Sequence, residues 1–238
     1  MAKTNFAALN KEFHKGLLKC FDFMKENPLF VLNEDDFKCF LYSELKERAV
    51  FWRPLSTEND GEKIPLLHAE YWHSNADKFK STVSGEEHKG KGFGSYDLAI
   101  LNPMSLGKNV VESHEISKNS TLGRRGVKNR KEVLIGCELK WRRNSYPEYI
   151  EYFLEEDIAT FLPDTKTSYF SRYGYVVYVH YCDLPLYKHD KKTIDEIKRF
   201  TRKIMAQYQF RKRGQVVKAY LFQIIKADRI KTELHELM

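Results

Sequence analysis

The sequence predicts an α/β fold: a mixed central sheet flanked by helices, with a helical extension at the N-terminus. Three observations predict it. Of the 238 residues, 42 % are hydrophobic and 14 % aromatic, enough apolar volume for a large core and unlike a disordered composition. Apolar residues recur at helical spacing in some stretches and cluster or alternate in others. In chain order the elements read α, α, β, β, β, α, β, α, β. Three consecutive strands followed by a helix and a further strand suit a mixed sheet with helices on its faces. Residues 1–30 read as the extension and residues 31–238 as the main domain, one compact unit overall.

Each element has its own signal. Phe6, Leu9, Phe13, Leu17, Leu18, Phe21 and Met24 form one helical stripe from Phe6 to Lys25, and Asn27-Pro28 ends it. A second helix is expected from about Asp35 to Arg48, with Asn33 as N-cap and Glu34, Asp35 and Asp36 at its positive end. Ser56 to Lys63 is polar and reads as a loop, Ile64 to Trp72 as a strand, and Ser84 to Gly94 as a glycine- and charge-rich turn. Tyr96 to Leu101 is a short apolar strand, closed by Asn102-Pro103. Pro103 to Arg130 shows no period and reads as a long loop or an extended hairpin tip. Glu132 to Trp141 is a strand, Pro147 to Leu162 a helix, Tyr173 to Tyr181 a strand, Lys191 to Gln209 an amphipathic helix, and Gln215 to Ile225 a last strand before a charged tail.

Composition excludes several classes of function. The cysteines, Cys20, Cys39, Cys137 and Cys182, form no CxxC pair and have no histidine at ligand spacing, which argues against structural zinc, iron–sulfur clusters and a disulfide framework. No run approaches the roughly 18 apolar residues of a membrane span, and the first residues lack the apolar core of a secretory signal. The expectation is a soluble, cytoplasmic protein with no membrane partner. A formal charge of +7 and 40 basic against 33 acidic residues suit a polyanionic partner.

The chemistry concentrates on two strands. In VLIGCELKW, side chains alternate, so Leu134, Gly136, Glu138 and Lys140 share a face opposite Val133, Ile135, Cys137, Leu139 and Trp141. A carboxylate and an ammonium at i and i+2 are costly in an apolar strand unless they are paired or bind something. In SYDLAIL, Asp97 is the only charge. If the two strands are neighbours, Asp97 and Glu138 converge. Two such carboxylates repel, and a hard cation relieves the repulsion.

These residues resemble the PD-(D/E)XK nuclease superfamily, with its restriction-endonuclease-like fold and αβββαβ core. The resemblance runs roughly from Asp35 to Tyr181. It implies that Asp97 ends one strand and that Glu138 and Lys140 form the E-x-K of the next. Asp97, Glu138 and the backbone carbonyl of Leu139 would hold Mg²⁺ or Mn²⁺, and Lys140 would position the attacking water. Glu44, within CFLYSELKER, would be the helix glutamate that completes the catalytic set. The activity implied is metal-dependent hydrolysis of phosphodiester bonds, with DNA as the expected partner and a homodimer compatible with cutting two strands. Tyr96 stands where the family motif has proline. Two other readings stay open: a catalytically inactive nucleic-acid-binding module of the same fold, and a protein-interaction or assembly subunit.

Further residues carry alternatives. Glu70 is either a neighbour of the metal shell or an exposed strand residue. His68 and His73 read as structural. Asp157 either pairs with a basic group near the site or sits at the helix boundary. Lys108, Arg124, Arg125, Lys128 and Arg130 lie in the long connection between the two site strands and are candidates to grip phosphates. Lys198 and Arg202, on the basic helix, are candidates for a second nucleic-acid surface or for a solvated face. The segment GKGFG lacks the spacing of a nucleotide-binding P-loop.

Overall fold

The computed structural model describes residues 5–52, 55–56, 63–74, 78–82, 84–89, 93–103, 133–143, 147–162, 171–182, 190–226 and 230–238. The elements, in order, are α1 (Phe6–Glu26), α2 (Glu34–Lys46), α3 (Ala49–Trp52), β1 (Leu55–Ser56), β2 (Lys63–Ile64), β3 (Leu67–Ser74), β4 (Lys78–Lys80), β5 (Glu87–Lys89), β6 (Phe93–Leu101), β7 (Val133–Arg143), α4 (Pro147–Ala159), β8 (Tyr173–Cys182), α5 (Asp190–Tyr208), a 3₁₀ turn (Phe210–Arg213), β9 (Val216–Lys226) and β10 (Ile230–Glu236). Six strands form one mixed sheet in the order β10-β9-β8-β7-β6-β3. β7, β8 and β9 run parallel, and the remaining neighbours are antiparallel. The α/β class, the mixed sheet and the αβββαβ run α2-β3-β6-β7-α4-β8 are as the sequence predicts.

Local signals explain the helix starts. The Asn5 side chain accepts hydrogen bonds from the backbone N–H groups of Ala7 and Ala8, and that of Asn33 accepts from Asp36 at 2.9 Å. The residue before proline disfavours helical geometry, so α1 stops ahead of Asn27-Pro28. α1 is a layer of the core rather than an appendage. Leu9, Phe13, Leu17, Cys20, Phe21 and Met24 are buried, Phe13 meets Tyr175, and Phe21 stacks on Phe222 at 5.5 Å. The parallel strands are covered on both faces, which is why they read as continuous apolar runs: Val133 to Leu139 and Tyr173 to His180 are all buried.

Two glycines make room for two aromatic rings against the sheet. Gly136 and Gly174 face each other across the β7–β8 ladder. A Cβ at Gly136 would lie 2.6 Å from the Tyr96 ring, and one at Gly174 would lie 2.7 Å from the Phe161 ring. The rings of Tyr96 and Phe161 stack at 5.2 Å over this bare patch. Tyr96 is thereby fixed one residue before Asp97. On the same side of the molecule, buried Glu155 of α4 takes hydrogen bonds from Ser81 Oγ (2.7 Å), the Thr82 N–H and hydroxyl, and Tyr208 (3.2 Å). This ties the β4–β5 hairpin to α4 and α5.

The structure differs from the sequence reading at several places. The presumed charged tail contains β10, an edge strand antiparallel to β9. Ser84 to Gly94 is no simple turn, since β5 and the start of β6 lie within it. Residues 63–72 are split by Pro65 into β2 and β3, because proline cannot donate to a ladder. α2 begins one residue earlier than expected, at Glu34. Among the described residues no helix is long and apolar enough to cross a membrane.

His180, on β8, is fully buried, and burial pushes its imidazole down to about 4. The ring is neutral in the fold and protonates freely when unfolded. Its contribution to stability is complete above the ordinary histidine value and is lost as pH falls toward the folded one. The shift corresponds to about 3 kcal/mol between about pH 7 and pH 4. Urea melts across that window should show a flatter acid loss in His180→Gln than in wild type; parallel curves would assign the acid limb to other groups.

Candidate functional site

Asp97 and Glu138 lie on neighbouring strands, each one residue beyond the last backbone pair of the β6–β7 ladder, Leu98 with Cys137. The β6–β7 ladder steps from Ile100/Ile135 through Ala99/Gly136 to Leu98/Cys137, so the next position along sets Asp97 opposite Glu138. There the backbone pairing gives way to a side chain: the Leu139 N–H donates to Asp97 Oδ2 at 2.7 Å. A residue's N–H and C=O project to the same side of a strand, so the Leu139 carbonyl also faces Asp97. Asp97 and Glu138 are only 8 % and 4 % exposed. Both are close enough to Lys140 for their charges to act on it.

The electrostatics follow from burial. Burial raises the Asp97 carboxyl above its ordinary value; the Leu139 N–H and Lys140 pull it down, Glu34 pushes it up, and Lys38 pulls it down. Burial alone would lower Lys140, but Asp157, Glu34, Asp97 and Glu138 together hold its ammonium above the ordinary lysine range. The surrounding carboxylates thus favour the charged form of Lys140. Asp157 of α4, 1 % exposed, heads the groups that keep it charged. Asp157 lies in the last turn of α4 and its charge acts on Lys140.

The first turns of α2 bring two residues that the sequence did not single out for the site. Glu34 Oε1 lies 3.7 Å from Lys140 Nζ. Lys38 Nζ lies 3.8 Å from Asp97 Oδ1, 3.1 Å from Asp35 Oδ1 and 2.5 Å from Glu70 Oε1. Glu34 and Lys38 are i and i+4, one above the other on the same helical face. That spacing was legible, but the slide of the helix over the sheet was not.

Glu44 is the correction. It sits ten residues beyond Glu34, about 15 Å further along a helix, and faces α1. There it accepts from Lys19 at 2.7 Å and from Arg48 at 3.0 Å. The α2 glutamate that lies near Lys140 is Glu34. Glu70 belongs near the site after all, through Lys38. Lys198 and Arg202 lie on α5. Lys198 acts electrostatically on His235 of β10, whereas Arg202 lines a groove near the C-terminal end of α5. Lys108, Arg124, Arg125, Lys128 and Arg130 fall outside the described residues.

Among the described residues no group of three His, Cys, Asp or Glu side chains forms a ready metal cage. A hydrated Mg²⁺ needs less, one or two carboxylates with waters completing the shell, and Asp97, Glu138 and the Leu139 carbonyl suit that demand. Charge supports the fit. Glu34, Asp35, Glu70, Asp97, Glu138 and Asp157, six carboxylates, are balanced by two ammonium groups, Lys38 and Lys140.

A raised carboxyl opposes folding once it ionises: the stability it permits is complete below its ordinary value and lost as pH rises through the folded one. Asp97→Asn keeps an acceptor for the Leu139 N–H and removes the buried charge. In EDTA the variant should melt above wild type at neutral pH, with the gap closing in acid, as followed by circular dichroism. A variant that melts lower at neutral pH would mean that the charge of Asp97 supports the fold. No protein-family model, curated protein or solved structure matches the chain.

Proposed function

We propose that the chain is a divalent-metal-dependent nuclease of PD-(D/E)XK type that hydrolyses phosphodiester bonds, with DNA as substrate. The observation that carries this reading is the buried Asp97 tied to the Leu139 N–H at the point where β6 and β7 separate, with Glu138 and Lys140 beside it. Asp97, Glu138 and the Leu139 carbonyl would hold Mg²⁺ or Mn²⁺. Such an ion, when bound, lowers the pKa of a coordinated water and offsets charge on the phosphate.

The chain's own residues have separate tasks in this scheme. Lys140, held protonated by Asp157 and Glu34 among others, orients the water and donates to the phosphate as negative charge builds on it. Glu34 restrains Lys140 from the α2 side. The Leu139 N–H fixes the rotamer of Asp97.

A basic groove supports a polyanionic partner. It measures about 570 Å³ and is lined by Arg202, Arg211, Lys212 and Lys218 over Met205 and Phe210. Lys218 pairs with Glu236 at 3.0 Å. Arg202, Arg211 and Lys212 are matched by no acidic group in any ion pair seen among the described residues. Through β8, Val216 and Val217 in its wall align with Ile135 and Gly136, toward the far end of the strands from Lys140. A flanking stretch of nucleic acid would have its phosphates held there, away from the reacting bond.

Two experiments test the reading. Plasmid and single-stranded DNA should be cut with Mg²⁺ or Mn²⁺ and spared in EDTA. Glu138→Gln and Lys140→Ala should each lose about 10²-fold or more in rate while remaining folded. DNA binding without cutting under any metal would leave the inactive binding module as the better account, and equal cutting by the variants would remove the site. Binding by uncleaving Glu138→Gln should weaken with salt, and Arg202→Glu with Lys212→Glu should lower the log–log slope by roughly one per lost phosphate contact. An unchanged slope would take the groove out of the interface.

A further inference from the structure

The Lys38 ammonium sits among carboxylates that the proposed metal site does not use. It is 2.5 Å from Glu70 Oε1, 3.1 Å from Asp35 Oδ1 and 3.8 Å from Asp97 Oδ1, on a side chain only 17 % exposed. Asp97 divides its two oxygens: Oδ2 takes the Leu139 N–H toward β7, and Oδ1 faces Lys38.

Glu70 is held for this contact by an unusual backbone. The β3–β6 register pairs Ala69 with Leu98 and Tyr71 with Tyr96, which leaves Glu70 across from Asp97. Its φ is +50°, in the left-handed region that non-glycine residues rarely adopt. The strand's alternation is interrupted at this residue. The carboxylate is directed to Lys38 and accepts from Ser95 Oγ at 3.0 Å. Its side chain is 54 % exposed, so close packing does not enforce the conformation. Among the described residues, the polar contacts that could hold it are those to Lys38 and Ser95. Backbone outliers of this kind concentrate where a side chain must be aimed.

We propose that Lys38 is a built-in second cation of this site: its ammonium fills the space between Glu70, Asp35 and Asp97 that a second divalent ion would otherwise occupy, so that the chain takes up one metal ion and not two. This rests on the metal-site reading of the preceding section. Two-metal nucleases flank the reacting phosphate with a pair of ions. Here Asp97 and Glu138 serve one ion, and α2 supplies the other positive charge covalently. Lys38 is a positioning residue. It holds Asp97 from the side opposite Leu139 and neutralises Glu70, and it has no exchangeable water to activate.

A purely structural brace between α2 and β3 would show the same ion pairs but would not set the number of metal ions bound. Mn²⁺ titrations of the full chain, read by the spin-resonance signal of free Mn²⁺ and by calorimetry, separate the two. Wild type and Lys38→Arg should bind one ion. Lys38→Gln, which frees Asp97 and Glu70, should bind two, and Glu138→Gln should lose the first. Two ions in wild type, or one in Lys38→Gln, overturns the role of Lys38 while the metal site itself stands. No ion in wild type overturns the metal site and this inference together. Lys38→Met keeps the stem without the charge and takes the place of Lys38→Gln if that variant does not fold; the wild-type stoichiometry decides independently of either.

Discussion

The hydrogen bond from the Leu139 N–H to Asp97 Oδ2 is the constraint on which the site depends. It lies where the β6–β7 ladder stops, and a carboxylate takes the place that a backbone carbonyl would hold in a continuing sheet. A buried N–H left without a partner is expensive, so the substitution holds the fold together where the strands part. It also constrains the carboxylate. Bonded to the backbone of β7, Asp97 cannot rotate away from Glu138 without exposing the amide it satisfies. The opening between the strands and the fixing of Asp97 beside it are one arrangement.

The rest of the core keeps that opening where it is. Gly136 and Gly174 let the rings of Tyr96 and Phe161 lie directly on β7 and β8, which pins the residue before Asp97 to the end of α4. α4 also carries Asp157, whose charge supports the Lys140 ammonium, and Glu155, which anchors the β4–β5 hairpin. On the other face α1 packs Phe13 and Phe21 against Tyr175, Tyr220 and Phe222. Helices on both sides thus bury the three parallel strands and exclude water from most of Glu138.

What the sequence made legible was what strand geometry decides locally. Glu138 and Lys140 share a face because alternation has a period of two, and Asp97 stood out as a lone charge in an apolar strand. The α/β class followed from the order of the elements, and Asn33 from the chemistry of caps. The failures have physical reasons too. α2 was recognised as a helix, but which of Glu34 and Glu44 reaches the strands depends on how the helix slides over the sheet, and no local pattern encodes that slide. Glu70 was left between a neighbour of the metal shell and an exposed strand residue; it lies exposed in β3, and its left-handed backbone, which no local pattern encodes, accompanies its contact with Lys38. Lys38 looked like any helix lysine because all three of its carboxylates are brought to it by the fold or by helix rotation. β10 went unseen because Lys231, Glu233 and His235 made a tail of it; the alternating Ile230, Thr232 and Leu234 were the signal to weigh.

Charge distribution joins these parts. The chain is basic overall, yet Glu34, Asp35, Glu70, Asp97, Glu138 and Asp157 gather around the ammonium groups of Lys38 and Lys140. A negative pocket on a positive protein is a poor phosphate receptor by itself, and the unpaired cations of Arg202, Arg211 and Lys212 lie toward the far end of the sheet. The two regions make sense together on the proposed reading. Surface cations hold a polyanion by its backbone without regard to where the acidic pocket is, and only a divalent cation would let a phosphate enter that pocket. An acidic site of this kind makes engagement conditional on metal, so that binding to the chain and reaction within it are separately controlled steps. Lys38 limits the condition: by neutralising Glu70 and facing Asp97 from the α2 side, it reduces the positive charge that must be supplied from solution.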